Sequence, residues 1–514
     1  MAHTRSSRLK TRLSRYRISD DVLTLILGWL DPRSLLMATK AFKRIYAIVM
    51  AYHSLRYTFE LAVSGMRDGA APRAVAPLIG RLHLLMSYRT DWPRFNWTHE
   101  YKMQIVTPSH IGTSSGFIHQ IRPHGVYDTL EITELPSCRT GRSPTLTRRL
   151  RFTSPPIETI CIDASQALVI AAHIFWQVFI INKRPHNSKP KLCSQGGIVG
   201  VQLHFRDLWT FGKHPRALAE SYEIPTQSAK PVFRAAISIF GSKMAMTLEF
   251  VGGKVHHLIM DWRNFGARWI DDQDVRLLDE DLLLVVCKRG PMINLCSISN
   301  IANMVVLRQY ELPAMWTNST ITLCANHSPH LPPASALFYS DPAHRILVIS
   351  AKPTPKSTSC SWLFVNEAYF RAAAPSRRDR FAVPWSVWGQ YCLIKDLFRS
   401  GAAVRGPYVV GSRVVFLEPE ARARAGAGTL NAIEFVPFPE NPARLDPSWS
   451  TVGPRSPLFP SETARRLPSS AVEHYAVDDI GVTEDNIVLF LELRPGFRPV
   501  NILTFGAPSG PAHR

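Results

Sequence analysis

A train of short apolar runs, each closed by Gly, Pro, Asp or Asn, fills the chain from residue 104 onward and decides its architecture. The clearest are Glu158–Cys161, Ala167–Ile181, Gly200–Phe205, Ala235–Phe250, Val255–Trp262, Val275–Cys287, Ile293–Ile298, Ala336–Ser350, Ser361–Val365, Arg413–Leu417 and Ile487–Leu493. Brief apolar segments between turn formers read as β-strands, and no helical period of comparable length competes with them. Several share a theme: a polar turn, a strongly apolar strand, a gap, then a strand carrying an aromatic. ISIFGSKMAMTLEF followed by VHHLIMDW is one case, and VRLLDEDLLLVVC followed by MINLCSI another. The strong strands near Ile160, Ile239 and Val275 stand about 80 and 36 residues apart, read as two periods and one of a unit near 40 residues. A repeat of that length with several strands per unit predicts a β-propeller, with blade number and closure left open.

Ahead of this region, residues 18 to about 69 follow a helical period. Val22, Leu23, Ile26, Leu27 and Leu30 form one apolar stripe, with Ser19, Asp20 and Asp21 supplying a cap and first-turn acids. Asp31-Pro32 ends that helix and starts a second, which carries Leu35, Leu36, Ala38, Phe42, Ile45 and Val49. A third periodic stretch holds Leu55, Phe59 and Leu61 and stops near Gly65–Gly69.

Composition narrows the function classes. Of 514 residues 46% are hydrophobic and 19% charged, so the chain buries a large core and is not a disordered protein. Sixty Lys and Arg against 40 Asp and Glu give a net charge of +20, a field that attracts polyanions and acidic proteins. Arginine accounts for 45 of the 60 and is spread over the whole chain, which argues against one dedicated nucleic-acid surface. The tail at 1–17 concentrates Arg5, Arg8, Lys10, Arg12, Arg15 and Arg17 without an acid and reads as a solvated, disordered segment. It has no apolar core of a signal peptide. The longest apolar stretch, Ala167–Ile181, contains His173 and Gln177 and is shorter than the roughly 20 residues that span a bilayer. Eight dispersed cysteines, with no CxxC pair and no zinc spacing, fit reduced thiols in the cytoplasm or nucleus. No membrane partner is expected.

Strings that resemble catalytic or metal motifs lack their structural context. Gly112-Thr-Ser-Ser-Gly116 matches the nucleophile elbow of serine hydrolases, but Phe117–Ile121 alternates like a strand where a helix is required, so a hairpin turn is expected. His256 and His257 are neighbours on a strand and point to opposite faces. Asp271, Asp272 and Asp274 lack the Gly and closing Glu of a calcium loop and read as a solvated turn. With no Walker A string or G-x-G-x-x-G, the chain offers no catalytic residue, metal set or cofactor. A binding protein is expected, not an enzyme.

The stretch Ile18-Ser-Asp-Asp-Val-Leu-Thr-Leu-Ile-Leu-Gly-Trp-Leu-Asp-Pro-Arg-Ser-Leu-Leu resembles an F-box. Ile18, Asp21, Leu23, Ile26, Leu27, Trp29, Leu30, Asp31, Pro32, Leu35, Leu36 and the Lys43-Arg44 pair match that pattern. LRYTFELAVSGMRDG at Leu55–Gly69 and RLHLLMSYRTDWPRFNW ending at Trp97 are similar to the large basidiomycete-type fungal F-box family, as are LLDEDLLLVV and VPWSVWG further on. Ser19 stands where the family has Pro, Thr24 interrupts the apolar helix, and Ile45 replaces a Trp.

The resemblance implies an α+β multidomain chain: a basic tail at 1–17, an F-box helical domain at 18–65, a helical linker at 66–103 and an all-β, propeller-like substrate domain at 104–514. It implies the substrate-recognition adaptor of a Skp–cullin–F-box ubiquitin ligase. Ile18, Ser19, Asp21, Leu23, Ile26, Leu27, Leu30, Pro32, Leu35 and Leu36 would contact the Skp-type adaptor. On charge, Arg139, Arg142, Arg148, Arg149 and Arg151, in an acid-free stretch read as a loop, are the candidate residues for an acidic or phosphorylated substrate. The alternative is a basic propeller scaffold that binds nucleic acid or acidic proteins and joins no ligase. Affinity for a Skp-type adaptor separates the two.

Overall fold

Seven inner strands, His110–Ser114, Ile157–Asp163, Val232–Phe240, Asp274–Leu277, Thr320–Cys324, Arg405–Val410 and Val477–Val482, each pack beside the next, and the last returns to the first. They come from a computed structural model that describes residues 18–506. It leaves out 74–75, 107–109, 125–126, 143–146, 153–156, 180–195, 227–229, 289, 329–330, 333, 354–358, 373–381, 398–403, 420–427, 436, 438–448, 452–457 and 473–474. The basic tail at 1–17 lies outside the described residues, as do 183–191 and most of 372–380, 420–428 and 441–448 among the expected loops.

Each inner strand opens an antiparallel sheet, and the seven sheets make the blades of a closed β-propeller. Blade 1 spans residues 110–152, blade 2 157–225, blade 3 232–270, blade 4 274–311, blade 5 320–397, blade 6 405–466 and blade 7 477–504. Blade 4 gains a fifth strand from Ala382–Val383, and blade 5 one from Trp449–Thr451. The ring closes through His99–Val106, which pairs antiparallel with Phe497–Thr504 as the outermost strand of blade 7. This strand starts at His99, so a boundary at 104 cuts through it. The step from Ile160 to Ile239 is one blade, not two periods, because the strands Leu168–Phe179 and Gly196–Asp207 lengthen blade 2.

Packing explains the apolar runs. A propeller strand is buried on both faces, so inward alternation gives way to continuous hydrophobicity. Val169 and Ala171 face blade 1, whereas Ile170 and Ala172 on the same strand face blade 3. Seven buried clusters fill the seven interfaces between blades, the last joining Val488 and Ile502 to Ile118 across the closure. Ser115 (φ 48°) and Gly116 (φ 82°) are both left-handed, the geometry of a two-residue hairpin turn, so the Gly112–Gly116 string is a β-turn.

Among the described residues five α-helices precede the ring: α1 Asp20–Gly28, α2 Pro32–Ala41, α3 Lys43–Ala51, α4 His53–Val63 and α5 Leu78–Asp91. Ser19 Oγ accepts from Val22 N–H, and Asp31 Oδ1 accepts from Arg33 and Ser34 N–H with Pro32 in the first turn of α2. The second periodic stretch is two helices, because extended backbone at Phe42 (φ −136°) separates α2 from α3. Leu27, Leu35, Ile48, Val49 and Leu55 make a small core, with Leu23, Leu30 and Ile45 packed around it.

The segment expected as a helical linker is bound to the ring. Met66–Asp68 pairs with Phe338–Ser340, and α5 packs Leu82, Leu85 and Tyr88 on blades 6 and 7. Tyr57 Oη donates to Asp68 Oδ1 (2.8 Å), and Trp92 Nε1 donates to Glu484 O (2.9 Å).

Candidate functional site

Helix α1 is apolar on two sides. Leu27 is buried against the helical core and Leu23 and Leu30 are half-buried on it, whereas Ile18, Val22, Leu25, Ile26 and Trp29 are exposed. The exposed set recurs at helical spacing, so it forms one face. Trp29 is 90% exposed and Leu25 69%, unusual for side chains of this size in a folded unit. Met37, Phe42 and Tyr46 add exposed apolar surface on and between α2 and α3. Arg44 fixes the start of α1 by ion pairing to Asp20 (2.6 Å) and donating to Ile18 O (2.7 Å). The Thr24 hydroxyl donates to Asp20 O (2.7 Å), so this polar interruption is satisfied inside the helix.

The residues expected to meet a Skp-type adaptor therefore divide. Ile18, Ser19, Asp21, Ile26 and Pro32 are exposed, whereas Leu27, Leu35 and Leu36 are buried. Leu25 was absent from the expected set. Its signal was legible all the same, because a short helix with two apolar faces has one more than its own bundle can bury.

The five candidate substrate arginines do not form one rim. Arg139 is buried between blades 7 and 5: its Nε donates to Asp485 Oδ1 (3.1 Å), its Nη1 to Phe338 O (3.0 Å), and its Nη2 pairs with Glu484. Burial works against its charged form, yet the two carboxylates raise its pKa further. Arg142 stands over the Phe117 ring. Arg148, Arg149 and Arg151 lie on Thr147–Phe152, the outermost strand of blade 1, where a loop was expected. Arg149 pairs with Glu131 (2.9 Å), and Arg151 stands over Tyr127.

Polar groups also gather at one mouth of the central channel, in a pocket of about 130 Å³ lined by Arg276, His327, Arg345 and Glu367. Glu367 is shared by Arg371 (2.9 Å) and Arg276 (3.7 Å). A larger cleft of about 750 Å³ separates the start of α2 from blades 5 and 6, between Arg33, Arg67, His344 and Leu458. Asp274, expected in a solvated turn, is half-buried; its carboxylate accepts from Leu323 N–H (2.7 Å) and so joins blades 4 and 5, and desolvation raises its pKa to about 6. His257 bonds Thr247 within its sheet (3.0 Å). Among the described residues no group of three or more His, Cys, Asp or Glu side chains is placed to hold a metal, and no helix is long and apolar enough to cross a membrane.

No protein family and no curated protein matches the sequence. Among solved structures, the chain is similar to the WD40 domain of SCAP from fission yeast, with 7% identity over 80% of this chain and 98% of that one and a TM-score of 0.38. It is also similar to the WD40 domain of Toxoplasma gondii coronin (8%, 79% and 87%, TM-score 0.34). An acylaminoacyl peptidase of Pyrococcus horikoshii matches over 76% of this chain and 51% of its own length (7%, TM-score 0.31). The propeller assignment rests on the closed ring of seven sheets.

Proposed function

We propose that this protein is the substrate-recognition adaptor of a Skp–cullin–F-box-type ubiquitin ligase, working by binding and not by catalysis. The helices at the N-terminal end dock a Skp-type partner, and the propeller carries the substrate. The observation that carries this reading is the second apolar face of α1, with Val22, Leu25, Ile26 and Trp29 exposed. An amphipathic helix lays such a face into a partner's groove. Burying each large side chain there gives roughly 1.5–3 kcal/mol, against an association cost of about 4–15 kcal/mol. Four side chains alone only balance that cost, so Met37, Phe42 and Tyr46 belong to the same footprint. The packing of α4 and α5 on blades 6 and 7 would hold a propeller-bound substrate at a fixed distance from the ligase.

The test is pull-down of a Skp-type adaptor by the full chain and by Ile26→Asp, which would bury a charge without a partner. Ile26 is exposed, so the variant folds normally and loses adaptor capture. Equal capture by both proteins would remove this reading and leave a propeller scaffold outside any ligase. Reduced nucleic-acid binding is not expected in either.

A further inference from the structure

Blades 1 and 2 meet at a groove of about 540 Å³ with Trp209 in its wall. Trp209 sits in the turn after Gly196–Asp207, held by Asp207 Oδ1, which accepts its N–H (2.9 Å) and that of Thr210 (2.7 Å). The residue is 43% exposed. The Arg148 guanidinium lies 4.6 Å over that ring and also donates to Trp209 O (3.1 Å). Phe117 meets Trp209 edge-on at 6.3 Å, and Arg142 stands 5.2 Å over Phe117. An arginine therefore lies over each of two touching rings, and Arg216 also lines the groove.

Two acids that line or flank the groove are already engaged, and Glu134 and Asp485 act on Arg142 only from beyond ion-pair distance. Asp207 binds its own turn, and Asp163 accepts from Ser165 and Gln166. The cations have no ion-pair partner: among the described residues no carboxylate lies within ion-pair distance of Arg142, Arg148 or Arg216. We propose that this groove binds an acidic peptide segment, its carboxylates on Arg142, Arg148 and Arg216 and a flat side chain against Trp209. Guanidinium forks pair with carboxylates in two-point geometry, and an exposed Trp offers a large apolar contact at low entropic cost. The volume falls within the range of built ligand sites. A nucleic acid needs a continuous basic track with successive stacking rings. Here Glu131 occupies Arg149, so the track does not continue along the strand.

This inference rests on the reading of the propeller as the substrate-carrying part, and its test omits the adaptor so that either can fail alone. The probe is a short fluorescein-labelled peptide alternating Glu and Tyr, followed by anisotropy with the full chain. The controls are a Lys-Tyr peptide, a phosphoserine-Tyr peptide and a single-stranded oligonucleotide. The Glu-Tyr peptide should bind, and the Lys-Tyr peptide should not. Arg216→Ala and Trp209→Ala should each weaken binding about tenfold, the loss of one charge-assisted or stacking contact. Arg149→Ala, which removes the same charge outside the groove, should leave binding within about twofold, a change below 1 kcal/mol. Arg216 is exposed, so its variant keeps the fold even where Trp209→Ala loosens the turn. Binding of the Glu-Tyr peptide that is unchanged by Arg216→Ala, equal binding of the Lys-Tyr peptide, binding of the phosphoserine peptide alone, or displacement by the oligonucleotide at equal charge would each overturn the proposal.

Discussion

Replacing Arg139 with Met tests whether the ring is locked where the sequence places a ligand site. The native guanidinium joins the segment after the third strand of blade 1 to the blade 7 turn and to the Phe338 carbonyl. Its side chain is 5% exposed, and those of Glu484 and Asp485 only 6% and 7%. Arg139→Met leaves two carboxylates side by side in a site that water scarcely reaches. Breaking a buried pair in this way costs about 3–5 kcal/mol, whereas an exposed pair is worth at most about 1 kcal/mol. Urea unfolding of the full chain, followed by intrinsic fluorescence, should show the corresponding fall in midpoint. Adding Glu484→Gln and Asp485→Asn removes the stranded charges and should recover most of the loss. A loss below about 1 kcal/mol in the single variant would refute the lock. Weakened acidic-peptide binding at unchanged stability would return Arg139 to the ligand role.

Two further outcomes follow from burial. His119, His204 and His257 are held neutral by desolvation, with pKa values pushed down to about 3, 4 and 4 from 6.5. The unfolded chain gains their protons as pH falls through 6.5 and the folded chain does not, so stability is full above that pH and has dropped by about 3 kcal/mol per histidine at pH 4; His119→Phe should flatten the urea midpoint against pH, and an unchanged profile would contradict this. Leu27→Ala and Leu35→Ala should each destabilise the helical unit by about 2–5 kcal/mol, whereas Leu25→Ala should leave thermal stability unchanged and weaken adaptor capture. Equal effects on stability from all three would mean that the faces of α1 are misassigned.

Much of the ring was legible because blade strands are buried on both sides and their apolar runs stand out from the turns. The Ala235–Phe250 run is a pair of strands joined at Gly241, and Val275–Cys287 contains another pair. What escaped the sequence was surface strands. Thr147–Phe152 and Pro460–Arg466 read as loops because outermost strands carry polar and charged side chains on their solvent side. Blade count escaped as well, since the long hairpin of blade 2 and the insertions of blades 5 and 6 break the repeat. Asp274 and Arg139 look like surface residues in any local window. Only partners far along the chain, Leu323 for one and Glu484 with Asp485 for the other, draw them inward. At the helices the apolar period was visible, but which stripe faced inward depended on the placement of α2 and α3.

Hydrogen–deuterium exchange of the full chain, alone and with a purified Skp-type adaptor, tests the central proposal most directly. Protection should appear in residues 18–30 and around Phe42–Tyr46, where the unburied apolar surface lies, and be absent from the blades. No complex at all, or protection confined to the propeller with α1 unchanged, would contradict the account.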